Sequence, residues 1–396
     1  MTSSPTAVCI IIENLTVPVD RRMWQEARTL AEAGHRVSVV CPTGRGFEQT
    51  YEVRDGIEIY RHKLWEASGP AGYFLEYAVA LASEFRLALK AYRRTHFRII
   101  HAANPPDTIF LIALIFRFFG VRFIFDHHDL NPELYEAKFG RRGLFYRFVC
   151  LAERLTYRTA TVSIATNESY REIALTRGGM SPERAFVVKS CPDLKNICIG
   201  PPRPELKLGK PLMVVYVGVM GPQDGLDLLL ESIRYIVQEA GRHDVSFSLI
   251  GRGSETQKLK AWTAEKGLDS CVTFTGRVPD AEMWAYLSTA DLGVAPDPKN
   301  PMNDKSTMNK ILEYMAFGLP VVLYDLTEGR RSAGDAALYA RPNDPIDFAR
   351  RMLTLLDSEE LRRTLGARAR KRIEDGLNWD TEKRALLKAY ETALSD

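Results

Sequence analysis

Between Asn309 and Val322 the chain reads NKILEYMAFGLPVV, which joins a helix start, one embedded acid and a Gly-Pro exit into a strand. Ser306, Thr307 and Asn309 are candidate N-caps, and a helix opening there aims backbone N–H groups and a positive dipole end at whatever precedes it. A diphosphate fits that description. Lys310 stands in the first turn, where the dipole disfavours a cation unless an anion is near, and Glu313 follows one turn along the same side. Taken alone, the segment reads equally well as an ordinary amphipathic helix feeding a buried strand.

The stretches GVMGPQDG (218–225), GRGSE (251–255), GRVPD (276–280) and the run 296–310 each follow a strand-like segment. Glycine is needed where backbone N–H groups approach a phosphate or a base closely. The donor-side candidates are therefore Gly218, Gly221, Gly251 and Gly253, with Arg252, Arg277 and Val278 beside them and Lys305, Asn309, Lys310, Ile311 and Glu313 at the helix. Each loop alone reads as a tight turn, and the GxGxxG fingerprint is absent. Lys305 reads either as a phosphate ligand or as a solvated loop lysine. Upstream, FDHHDLNPE (125–133) sets His127, His128 and Asp129 at a strand end. There His128 or His127 could hydrogen-bond a sugar, and Asp129 could orient an imidazole or an acceptor hydroxyl. Asp20 is a further N-cap candidate, with Arg21 and Arg22 in the first turn behind it. Arg22 suits a phosphate of donor or acceptor, or plain solvation.

Strand-like and helix-like runs alternate along the whole chain, which is the α/β pattern that would position these loops. At 396 residues two domains are expected. The Pro/Gly-rich run 197–211 is the expected linker between an N-terminal domain, 1–196, and a C-terminal domain, 212–377. A closing helix, 378–396, follows. Both domains read as doubly wound parallel sheets, in which ligands sit beyond the carboxyl ends of the strands. Composition is that of a folded globular protein, 45% apolar and 26% charged. Net charge is +3, too mild for a dedicated nucleic-acid binder. Six cysteines without a C-x-x-C pair suggest neither a zinc knuckle nor a disulfide framework. No signal peptide or bilayer-length apolar run is present, so a cytoplasmic protein is expected.

In combination the segments LIGRGSE, VTFTGRVP, STADLGVAP and NKILEYMAFGLPVV resemble the retaining glycosyltransferases of family 4, as do GHRVSVVCP and FDHHDLNPE in the first half. The likeness covers nearly the whole chain and is nearest to bacterial enzymes of exopolysaccharide or surface-glycan assembly. It implies the GT-B fold, two Rossmann-like domains facing across a cleft with the C-terminal helix crossing back to the first. It also implies a nucleoside-diphosphate sugar donor (UDP or GDP) and a saccharide acceptor carried on a lipid. Glu313 takes the position of the acid that binds the donor ribose, and His128 that of the histidine near the donor sugar. Val219 and Asp224 stand where the family commonly has Arg and Lys, and Lys305 where it has an acid, so Lys310 and Arg252 are expected to meet the phosphates.

No paired inward carboxylates suggest a metal site, and the basic residues with the helix end are expected to replace a divalent ion. A catalytically silent GT-B scaffold and a nucleotide-sugar epimerase are the competing readings. The run 109–120 is read as a core helix. KFGRRGLFYRF (138–148) interleaves Phe139, Leu144, Phe145 and Phe148 with Lys138, Arg141, Arg142 and Arg147. It suits peripheral contact with an anionic membrane, or a solvated basic helix with its aromatics turned inward.

Overall fold

The computed structural model describes residues 5–63, 70–140 and 142–395, and it divides into two units: 1–190 with 382–396, and 191–381. The first unit opens with β1 (Ala7–Ile11), α1 (Arg21–Glu32), β2 (Arg36–Pro42), β3 (Tyr51–Arg54), β4 (Ile57–His62) and α2 (Pro70–Thr95). It continues with β5 (Ile99–Ala103), α3 (Phe110–Arg117), β6 (Arg122–His127), α4 (Asn131–Phe139), α5 (Leu144–Thr159), β7 (Val162–Ala165), α6 (Glu168–Thr176) and β8 (Ala185–Val187). The sheet order is β3-β4-β2-β1-β5-β6-β7-β8, parallel except for the β3–β4 hairpin. Strand order reverses between β1 and β5, where such folds carry their sites.

The second unit runs β9 (Leu212–Val217), α7 (Leu226–Arg234), β10 (Val245–Ile250), α8 (Thr256–Glu265), β11 (Val272–Gly276), α9 (Asp280–Thr289) and β12 (Leu292–Ala295). Then come α10 (Asn309–Ala316), β13 (Val321–Tyr324), α11 (Thr327–Ala333), β14 (Ala337–Ala340), α12 (Pro345–Leu356) and α13 (Glu359–Asp375). Its sheet, β11-β10-β9-β12-β13-β14, is wholly parallel and reverses between β9 and β12. The last helix, α14 (Trp379–Ser395), begins in the second unit and belongs to the first from Glu382 onward.

The segment 197–211 is hydrogen-bonded into the second unit. Gly200 and Arg203 donate their N–H groups to Ser288 Oγ and Thr289 Oγ1, and Lys207 pairs with Asp291 at 2.8 Å. Each sheet is covered on both faces by apolar side chains, so its strands are near-continuous runs of buried Val, Ile, Leu and Phe. Charged residues inside such strands are therefore conspicuous, and Asp126 in RFIFDH and His101 in IIHAA are both fully buried.

Candidate functional site

In the second unit the glycine loops meet one another. Gly218 donates its N–H to Ile250 O at 3.0 Å, Gly251 to Gly276 O at 2.9 Å, and Glu255 to Met220 O at 3.0 Å. Contact is so close that a Cβ on Gly251 would stand 1.8 Å from Gly218 O, and one on Gly253 would stand 2.4 Å from Met220 O. The run 296–310 joins them through Asn303, whose side-chain amide donates to Gln223 O and Pro298 O. Asp224, where resemblance led to an expected lysine, closes its own loop by accepting the Gly221 N–H at 2.9 Å.

Helix α10 is set by Tyr314, whose hydroxyl donates to Val294 O and accepts from Val217 N–H. Gly293 makes room for it, since a Cβ there would lie 2.5 Å from the Tyr314 ring. The N-cap is Met308, with no side-chain cap, rather than Ser306, Thr307 or Asn309. Asn309 is exposed, while Lys305 and Glu313 are half-buried. Lys310 is 9% exposed, its Nζ 2.7 Å from Asp297 Oδ1 and 5.0 Å from the centre of the Tyr216 ring. Asp297 is buried, and its second oxygen has no hydrogen-bond partner. A cation that the sequence offered to phosphate is thus already balanced by an acid that the sequence reading missed. Arg252 and Arg277 are exposed, and among the described residues neither is in an ion pair. Val278 and Ile311 pack in the apolar core behind the loops. Asp304 accepts from the backbone N–H and hydroxyl of Thr327, at the start of α11.

In the first unit Asp20 caps α1 by accepting the Met23 N–H at 3.0 Å. Arg22 is neither solvated nor open to a phosphate. Its Nε and Nη2 engage Asp126, Nη2 also lies 3.0 Å from Glu26, and Nη1 donates to Val188 O and Ser190 Oγ. Two buried carboxylates require such a counter-ion, which is why the guanidinium is held inside.

Asp126 is the hub of this network. Its Oδ2 lies 2.7 Å from His128 Nε2 and 3.3 Å from His101 Nε2, and His101 Nδ1 is 2.6 Å from the Tyr390 hydroxyl of α14. Burial alone would raise the Asp126 carboxyl, but Arg22 and His128 hold it well below the usual range. Burial works against charge on His128 and the Asp126 carboxylate outweighs it, so the imidazole is raised. The acid that orients His128 is therefore Asp126; Asp129, expected in that part, is exposed and tied by its backbone to the Asn104 side chain.

Of the paired histidines, His128 keeps a side chain 17% exposed. His127 is fully buried, with Nδ1 2.7 Å from the Tyr157 hydroxyl, and burial with Arg177 nearby pushes its pKa down to about 3. Potential ligand atoms of Glu26, His101 and Asp126 come within 4.8 Å of one another, but the Arg22 guanidinium lies between both carboxylates and already supplies the cation. The signal for this cluster was legible as charge inside apolar strands and as the i, i+4 spacing of Arg22 and Glu26.

Near 138–148, Arg141 and the side chain of Lys138 lie outside the described residues. Tyr135 stacks on Phe139 and Phe145, with ring centres 4.7 and 5.2 Å away, and Phe145 contacts Phe148. These aromatics gather on the surface and remain about half exposed.

Comparison with known proteins agrees with this architecture. Residues 211–358 match the family described as Glycosyl transferases group 1, and residues 19–190 match the Glycosyl transferase 4-like domain. The amylovoran biosynthesis glycosyltransferase AmsK of Erwinia amylovora is 28% identical over 149 residues, 35% of this chain and 36% of that protein. Matches to the curated relatives span between 36% and 60% of their lengths. Among solved structures, sucrose-phosphate synthase of Thermosynechococcus elongatus superposes with a TM-score of 0.80 at 17% identity, covering 98% of this chain and 99% of that one. Anabaena HepE in complex with UDP-glucose gives 0.73 at 16% identity, covering 99% and 100%.

Proposed function

The chain belongs to the GT-B glycosyltransferases of family 4, and from that premise we propose that it moves a sugar, with retention, from a UDP- or GDP-sugar to a lipid-linked saccharide. The assembly of a bacterial exopolysaccharide or surface glycan is its setting, at the cytoplasmic face of a membrane. One observation carries the reading: three glycine loops and the run 296–310 are joined to one another by hydrogen bonds and close glycine contacts, and Lys310 of α10 reaches Gly218 and Asp297 among them. The naming of one relative for amylovoran biosynthesis and the UDP-glucose bound to HepE support the product and donor classes.

Glu313 accepts hydrogen bonds from the donor ribose. The diphosphate draws on loop N–H groups, the α10 dipole, Arg252, Arg277, Lys305 and Lys310. As the anomeric bond breaks, negative charge gathers on the departing phosphate oxygens, and preorganised donors there lower the barrier most. No divalent ion is needed in this scheme. His128, oriented by Asp126 and Arg22, would hydrogen-bond the transferred sugar.

Calorimetry with UDP and GDP, followed by a screen of their sugars for hydrolysis and transfer, tests the reading. Binding of one nucleotide and transfer from its sugar is the expected result. Failure of both nucleotides to bind would leave a scaffold, and conversion of the donor alone, seen by NMR, would mark an epimerase.

A further inference from the structure

Helix α3 and its flanks, expected to be core, are two-faced. Ile109, Phe110, Ile112, Ala113 and Phe116 are buried, whereas Leu111, Leu114, Ile115, Phe118 and Phe119 turn to solvent, Phe118 to 92%. Its packed neighbour α5 does the same with Leu144, at 83%, and with Phe145, Phe148 and Leu151. Soluble monomers rarely leave so many large apolar side chains together on adjoining helices.

The charges select the occupant. Arg117 on α3 and Arg147, Arg154 and Arg158 on α5 are exposed. The one acid on either helix, Glu153, is buried against Arg177 at 2.6 Å. On α5, Leu144, Phe148 and Leu151 follow at intervals of four and three, which makes one stripe. Arg147, Arg154 and Arg158 follow at seven and four, which places them along one border of that stripe. An apolar stripe edged only by arginines fits acyl chains beneath anionic headgroups, whereas a protein partner's interface core would not call for an uninterrupted row of one charge.

We propose that the α3–α5 face docks on an anionic lipid bilayer, seating Phe118 and Leu144 in the acyl boundary and the arginine row on the headgroups. The proposal rests on the membrane setting given above, but not on the donor chemistry. For a lipid-linked acceptor, docking holds the first unit at the surface from which the acceptor's saccharide projects.

The full chain is sedimented with vesicles of phosphatidylglycerol and phosphatidylcholine, and with phosphatidylcholine alone. Expected is binding to the anionic vesicles that weakens with salt. Phe118→Glu and Leu144→Glu, each at a side chain too exposed to hold the core, should each lower the bound fraction by about tenfold or more, with nucleotide-induced thermal stabilisation unchanged. Equal sedimentation of wild type and both variants, or no binding by wild type, would overturn the proposal. So would a dimer in light scattering that Phe118→Glu dissociates, since the face would then be covered by a second copy. Vesicle binding without any nucleotide stabilisation would sink the donor reading and leave the docking surface standing.

Discussion

Lys310 meets its counter-charge before any substrate arrives. The buried Asp297 carboxylate holds Nζ at 2.7 Å, and Gly218 lets the lysine stem pass, since a Cβ there would lie 3.2 Å from Lys310 Cε. In the proposed reaction an incoming diphosphate would share this ammonium with Asp297, which would temper ground-state binding and leave more attraction for the charge that develops as the bond breaks. Simple truncation of Lys310 would strand a buried carboxylate at a cost of about 3–5 kcal/mol, so lost activity in Lys310→Ala would say little about chemistry. The informative variant is Lys310→Met combined with Asp297→Asn, which removes both charges together. It is expected to fold and bind nucleotide while kcat falls about a hundredfold; unchanged kcat would take Lys310 out of the leaving-group role. A lysine one residue inside a helix was legible as a phosphate candidate. Its partner thirteen residues earlier was not, because nothing in PDPKNP separates a buried aspartate from a loop one.

The loops lie against one another because the residues at the contacts are glycines, and the dependence of the proposed site on this is testable at a single atom. Gly251→Ala would drive a Cβ to 1.8 Å from the Gly218 carbonyl, at a φ of +129° that side chains avoid. The variant should lose about 1–3 kcal/mol of stability and bind nucleotide at least about tenfold more weakly. Gly200→Ala, with open space around its Cβ and an ordinary φ, serves as the control and should change neither. Thermal melts with and without UDP or GDP read both effects. Most elements were legible, since strands buried on both faces write themselves as apolar runs. The β3–β4 hairpin turns at Asp55-Gly56, both at positive φ, a strong hairpin signal in the sequence. Glu58 and Arg61 disguise β4 as a surface segment, yet both are buried. Tyr60 and Arg36 satisfy Glu58, while Thr16, Val17 and Glu52 satisfy Arg61. Helices α4 and α11, at nine and seven residues, are short enough that little periodicity marks them.

Across the molecule, each sheet gathers polar groups near its reversal of strand order, and the two units differ in how they balance them. The second has Arg252 and Arg277 at its loops outside any ion pair among the described residues, whereas the first locks its charges into the Arg22–Asp126 network and a neighbouring one around His127. The second of these networks makes the first unit acid-sensitive. His127 folds neutral with a pKa of about 3, against an unfolded value of about 6.5. Above pH 6.5 both states are neutral and the residue contributes nothing to pH dependence. As pH falls below that value the unfolded chain takes up a proton that the folded chain refuses, so stability falls, by about 2 kcal/mol at pH 5. His127→Asn keeps a polar partner for the Tyr157 hydroxyl and cannot titrate. Urea unfolding of the two proteins at pH 7.5 and pH 5, followed by a probe in the first unit, should show wild type losing about 2 kcal/mol more than the variant. Parallel losses would mean that His127 is protonated in the folded protein. The neutral imidazole would then give way to an ion pair with Glu153, now 3.8 Å from its Nε2, and the contrast between a structural His127 and a solvent-reaching His128 would fail with it.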